Sequence, residues 1–174
     1  MSIQPKYHWT FREIKNFITQ DVINGATARL SNVVLSGQGR IGNAVALNGS
    51  DDSYISLGHE TGQFGQADFT VAFEAKIYPT NQLVELIGNR TAAGHGNFFC
   101  IRVTPEGKVS AEVDQDNNAT NYIVLYSSAG LADGIDDIWH HIAVVRQQKT
   151  LKLYIDGNLS ATRTASGCLT DKKG

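Results

Sequence analysis

The sequence predicts an all-β domain of two antiparallel sheets packed face to face, and three observations carry that reading. Short runs with alternating apolar and polar residues recur along the chain. Clusters of turn-forming residues separate these runs at regular intervals. Glycine is abundant, at 17 of 174 residues, while helix formers dominate no long window. Ten or so short strands at such spacing define a sandwich or jelly roll, in which each sheet buries one face.

Taken in order, the first element predicted is a short helix. Phe11, Ile14, Phe17 and Ile18 fall at helical spacing over about two turns before "TQDVINGATARL" breaks the pattern. Strand-like runs follow at "NAVAL" (43–47) and "SYISLG" (53–58). The clearest strand is "DFTVAFEAKIYP" (68–79). Phe69, Val71, Phe73, Ala75 and Ile77 occupy one face, Thr70, Ala72, Glu74 and Lys76 the other, and Pro79 ends the run. The remaining strands are "LVELIGN" (83–89), "NFFCIRVT" (97–104), "KVSAEVD" (108–114), "NYIVLYSS" (121–128), "WHHIAVVRQ" (139–147), "LKLYIDG" (151–157) and "LSATRTA" (159–165). "NGSDD", "PEGK", "DQDNN", "QQKT" and "DGN" are the turns between them; "PEGK" and "DGN" read as hairpins.

Composition bounds the function. At 174 residues the chain suits one domain, 1–174, with residues 1–28 as a lead-in. A net charge of −2 and the lack of a basic run argue against nucleic acid and anionic membrane surfaces. No run approaches the ~20 apolar residues of a membrane-spanning helix, and the start lacks the pattern of a signal peptide. The two cysteines form no disulfide framework. Cys100, inside "FFCIRV", reads as a buried free thiol, and a Cys100–Cys168 bridge is the less favoured reading.

Three segments, in order, resemble laminin-G-like domains of the concanavalin A-like jelly-roll type. "GRIGNAVALNGSDDSYISLG" (39–58) is similar to the family's opening motif, "ADFTVAFEAKIYPT" (67–80) to its "F-T-I-E-F-W-V" strand, and "WHHIAVVRQQKTLKLYIDGNLSA" (139–161) to its "W-H-H-V-A-V-V … L-Y-V-D-G" hairpin. "HWTFREI" (8–14) resembles the lead-in. Where the family has "F-D-G", this chain has Leu47-Asn48-Gly49. The family's closing strands have no counterpart before Gly174, which leads us to expect open backbone edges.

"WHHIAVVR" tests the chemistry. Alternation puts Trp139, His141, Ala143 and Val145 on one face, and His140, Ile142, Val144 and Arg146 on the other. The two histidines therefore point apart and do not chelate one metal. The resemblance implies a structural segment in which the tryptophan packs and the histidines hydrogen-bond. His8, His59 and His95 lie in loop-like surroundings without ligand spacing.

"AEVDQDNN" offers three acids at period two: Glu112, Asp114 and Asp116. Laminarinase- and lichenase-type glucanases share the implied fold, and their catalytic strand reads Glu-x-Asp-x-Glu. A glycosidase reading would assign Glu112, Asp114 and Asp116 as catalytic, with Asp116 one methylene short. Retaining enzymes need carboxyls about 5–5.5 Å apart with one pKa raised. The favoured reading is hydrated turn acids with no catalytic residue. The segment is no EF-hand, because Ala119 and Leu125 stand where the loop needs glycine and a bidentate glutamate. The resemblance also implies a rim Ca2+. Asp51 and Asp52 match the family's acidic pair and are the metal-ligand candidates, against a favoured reading in which Asp52 caps a turn. "GNRTAAGHGNFF" lacks the context of a phosphate loop and reads as a rim loop carrying Arg90, His95 and Asn97, which are more simply solvated. Asn48, Asn89, Asn118 and Asn158 begin glycosylation sequons.

These observations lead us to expect a non-catalytic recognition module for carbohydrate or glycoprotein, with Ca2+ as the cofactor the resemblance implies. The ligand-binding candidates are Arg90, His95, Asn97, Asp114, Asp116, Asn118 and Tyr122, with Tyr126 as a second stacking ring. The rivals are a jelly-roll glycoside hydrolase and an assembly domain completed by partner strands or self-association. The expected location is extracellular or at a cell surface, within a larger protein, with no nucleic acid and no membrane insertion.

Overall fold

The computed structural model describes residues 4–65, 67–90, 93–116, 118–119, 122–131 and 138–165, the side chains of Ser36 and Asp116 excepted. Among these there is no helix, and thirteen strands carry the fold. The chain forms two compact units, 1–61 and 62–174.

The first unit holds five strands. β1 (Ile18–Gln20), β2 (Thr27–Ser31) and β5 (Tyr54–Ser56) form one small sheet in the order β1-β2-β5. β3 (Val34–Gly39) and β4 (Gly42–Ala46) form a separate hairpin. The helix expected over residues 11–18 is absent. Lys15 and Ile18 exchange backbone hydrogen bonds, both 2.9 Å, across Asn16 and Phe17, which have φ of 51° and 59°. Positive φ at both central residues makes a tight hairpin turn, and the same apolar residues are thereby folded back on themselves. Helical spacing across four apolar residues was too short a signal to resist that turn. Asp21, 2% exposed, knots the lead-in: its carboxylate accepts the amides of His8, Ile23 (3.2 Å) and Asn24 (2.8 Å).

The second unit is the sandwich. One sheet has the order β10-β9-β8-β7, from β7 (Val84–Gly88), β8 (Gly96–Val103), β9 (Lys108–Asp116) and β10 (Ile123–Gly130). The other has the order β13-β12-β11-β6, from β6 (Phe69–Lys76), β11 (Trp139–Gln147), β12 (Thr150–Ile155) and β13 (Asn158–Thr164). Every pairing is antiparallel. The inner faces supply one core. Phe99, Ile101, Val109, Ala111, Val113, Ile123 and Leu125 come from the first sheet, and Phe69, Ile142, Val144, Leu151 and Leu153 from the second. The alternation expected of β6 places Val71, Phe73, Ala75 and Ile77 against this cluster.

The histidine-rich segment is a wall. His141 lies across from Glu74 of β6, and Ile142 from Phe73. The β12–β13 turn has Asp156 and Gly157 at φ 50° and 79°, the two positive angles a two-residue hairpin of this twist requires. The Asp156 carboxylate then reaches back to β11, accepting from His141 N at 2.9 Å and meeting His140 Nδ1 at 2.7 Å. The two histidines are thus held by one hairpin acid. Cys100 is a buried free thiol, which burial and then the Glu112 charge push up to about 12. Cys168 lies outside the described residues.

Candidate functional site

Alternation that sends Val109, Ala111 and Val113 inward sends Ser110, Glu112 and Asp114 to the outer face of β9. Register then chooses their neighbours. Glu112 lies across from Cys100 of β8 on one side and Val124 of β10 on the other. Asp114 lies across from Phe98, and Arg102 from both Ser110 and Glu85. Two connecting segments complete the face, one bringing Arg90 and His95, the other Tyr122.

Glu112 is the centre. Its Oε1 accepts from Arg102 Nη1 at 3.0 Å. Its Oε2 accepts from Arg90 Nη1 at 3.3 Å and from the Tyr122 hydroxyl at 3.1 Å. Arg102 Nε also faces Glu85 Oε2 at 3.6 Å. Arg90 donates to Gly94 O at 2.8 Å and lies over the Phe98 ring, 4.4 Å from its centroid. Burial raises Glu85, the Arg102 charge only partly opposing it. Burial, and then the charge and hydrogen bond of Glu112, push the Tyr122 phenol up to about 12.

Asp114 forms a second, linked node. Its side chain is 0% exposed, and Oδ2 meets His95 Nδ1 at 2.6 Å and the Gly96 amide at 3.4 Å. Oδ1 accepts from Gln115 N at 2.9 Å. The 42%-exposed His95 packs edge-on against Tyr122, ring centroids 5.3 Å apart. Tyr126, on the same face of β10, is exposed.

The candidates can now be placed. Arg90, His95, Asp114 and Tyr122 converge on this one face. Asn97 is exposed nearby on β8, and Asn118 is exposed after β9. Asp116 pairs with Gly96 through its backbone, its side chain lying outside the described residues. Two readings are corrected. Glu112 and Asp114 are not hydrated turn acids, because β9 runs to Asp116 and holds them buried and hydrogen-bonded. Arg90 is not a solvated rim residue, being tied to Glu112, Gly94 and Phe98. Glu85 and Arg102 were missed; only the register Glu85↔Arg102 makes them visible as partners of Glu112.

The metal candidates lie in the first unit. Asp52 caps its turn: its carboxylate takes the Ser50 hydroxyl and Asn32 Nδ2 at 3.0 Å, hydrogen bonds that hold it below the usual carboxylate range. Asp51 sits beside it, exposed. Calcium takes six to eight oxygens; toward such a shell Asp51 supplies an exposed carboxylate and Asp52 one that is also engaged within its turn. Among the described residues no three His, Cys, Asp or Glu side chains group to hold a metal.

The two-sheet fold and this polar outer face define a lectin-like β-sandwich. The model of the concanavalin A-like lectin/glucanases superfamily, of laminin G type, matches residues 48–174, and the chain belongs to that family. No curated protein matches the chain. An S-layer domain-containing protein from Clostridium thermocellum is similar in structure, with 23% identity, a TM-score of 0.56, and coverage of 91% of this chain and 72% of the other. The binding domain of botulinum neurotoxin DC, solved in complex with SialylT, has 16% identity and a TM-score of 0.63 over 88% of this chain and 38% of its own. The CBM40 of Ruminococcus gnavus IT-sialidase, bound to α2,3-sialyllactose, has 16% identity and a TM-score of 0.50 over 81% of this chain and 70% of its own. At these identities the likeness is one of fold. The chain spans well under half of the toxin binding domain.

Proposed function

We propose that this chain is a non-catalytic module that recognises carbohydrate or glycoprotein outside the cell or at a cell surface. The observation that carries the reading is the outer face of β7–β10, where Arg90, Arg102, His95, Tyr122 and the exposed Tyr126 ring surround Glu112 and Asp114. Ligand hydroxyls find fixed donors and acceptors there, and Tyr126 offers a stacking surface. The two sugar-complexed structures of similar fold support it by analogy of architecture. Against catalysis stands the state of Glu112, whose two oxygens are both engaged by cations.

A glycan array tests the reading. Wild type is expected to bind a defined subset of glycans, and Tyr126→Ala to lose most of that signal; silence across the array removes the proposal. An EDTA arm tests the calcium expectation at Asp51 and Asp52, which equal binding with and without chelator would end.

A further inference from the structure

We infer that Asn48 is a site of spontaneous covalent modification, deamidating through a succinimide to aspartate and isoaspartate, while the fold protects Asn24 in the same dipeptide context. The chain has two Asn-Gly steps, Asn24-Gly25 and Asn48-Gly49. Glycine after asparagine leaves the attacking amide unshielded, since no Cβ stands beside it. In the reaction Gly49 N bonds to Asn48 Cγ and gives up its proton, and the side-chain nitrogen leaves as ammonia. Water then opens the ring at either of its carbonyls, giving aspartate or isoaspartate at position 48. Water is the only co-reactant, and no electrons are exchanged.

The two steps share a turn and differ at the reacting atoms. Both asparagines are exposed. Each Oδ1 accepts the amide two residues on, from Ser50 N at 2.9 Å and from Ala26 N at 3.1 Å. That bond bends each side chain along the backbone, beside the glycine amide between. Asn48 has a second donor on the same oxygen, the Ser50 hydroxyl at 2.6 Å. Both donors aim at the atom that gains negative charge as the ring closes, which is how an oxyanion is stabilised. Asn48 Nδ2 and Gly49 N have no hydrogen-bond partner among the described residues, so the leaving group and the nucleophile are both at liberty. At Asn24 both are tied. Gly25 N donates to Asp21 O at 3.0 Å, and Asn24 Nδ2 donates to Lys6 O at 3.0 Å. The backbone amide of Asn24 also donates to the buried Asp21 carboxylate at 2.8 Å. Ring closure there must first open the lead-in.

The product changes the turn. The Ser50 hydroxyl lies between Asn48 Oδ1 and Asp52 Oδ1, its single proton serving either. After conversion two carboxylates compete for that proton, and like charges at such range repel. Isoaspartate also adds a methylene to the backbone of a turn closed by Asn48 N to Ser53 Oγ at 3.1 Å and Ser53 N to Ser50 O at 2.9 Å. The β4–β5 connection therefore loosens as the protein ages.

The test is peptide mapping by mass spectrometry after incubation of the whole chain in warm, mildly alkaline buffer, once folded and once in urea. In the folded protein the amide-to-acid mass gain is expected at Asn48, with Asn24 slower by about tenfold or more. In urea the two steps should convert at similar rates, because the dipeptide is the same and only the fold separates them. Methyl transfer by an isoaspartyl methyltransferase should rise with the Asn48 conversion, and Asn48→Gln should abolish both signals. The main comparison is made within one wild-type molecule, so it does not depend on how the variant folds. Equal rates in the folded protein, or Asn48 remaining intact, overturn the inference. A contrast that persists in urea also overturns it, since the cause would then lie outside the turn.

Discussion

Glu112 shows what one side chain can organise. Two guanidiniums and a phenol converge on it, at 3.0, 3.3 and 3.1 Å, in a setting where its own side chain is 8% exposed. Removing the acid takes away the counter-charge that Arg90 and Arg102 share, leaving Arg102 only Glu85, a loss that far exceeds that of an exposed pair. Glu112→Gln is expected to destabilise the protein by about 2–4 kcal/mol, read from urea unfolding; a change within error would mean that the network is solvated. Tyr122 gives the pH-dependent counterpart. Its folded pKa, pushed up to about 12, lies above the ordinary phenol value of 10. The fold thus favours the protonated phenol, and that stability is complete below pH 10 and lost as pH rises through 10 towards 12. Wild type should therefore lose more stability between pH 8 and 11 than Tyr122→Phe, compared by urea midpoints at the two pH values. At this scale the sequence was partly legible. Arg90, His95, Asp114 and Tyr122 stood out as polar or aromatic residues in and beside loops. Glu85 and Arg102 read as ordinary outward positions on strands, because the pairing that makes them partners of Glu112 is long-range.

Among the elements, the β12–β13 hairpin makes the plainest case. Asp156 turns the chain and also anchors it, accepting from His140 and His141 on β11 while its own amide donates to His141 O at 2.8 Å. Asp156→Ala removes both carboxylate bonds and places alanine at φ 50°, an angle aspartate tolerates better. The expected cost is about 1–3 kcal/mol in thermal unfolding, with faster amide exchange at His141; unchanged exchange there would show that the backbone bond alone fixes the hairpin. The elements β6 and β8–β13 were readable because each is an apolar-rich run bounded by turn residues, alternating in β6 and buried on consecutive positions in β8 and β11. The first unit was less readable. β1, β2 and β3 are short or interrupted by Gly, Asn and Ser, and Asn16–Phe17 supplied a turn where apolar spacing suggested a helix.

The sandwich as a whole is a pair of sheets stitched at one corner and fused through their inner faces. At the corner, Ser128 N donates to Ser160 Oγ at 3.0 Å and Arg163 Nη1 to Val124 O at 3.4 Å, linking β10 to β13. The larger coupling is apolar. Ile142, 0% exposed, has Phe73 and Ile155 as register partners within its own sheet and belongs to one cluster with Ile101, Val113 and Ile123 of the other. Ile142→Ala opens a cavity shared by both sheets, at about 2–5 kcal/mol. Melting should fall by about 2–4 °C for each kcal/mol in a chain of this size. If the sheets unfold as one unit, amide protection on β9 falls by the same free energy as on β11; loss confined to β11 would show that they open separately. The candidate site lies on the far side of β9, whose inward residues Ala111 and Val113 line this same core. Well below the melting temperature, then, the variant should bind sugar with wild-type affinity, and its binding should fail on heating together with the fold, since the mutation touches the scaffold and leaves Glu112 and its partners in place.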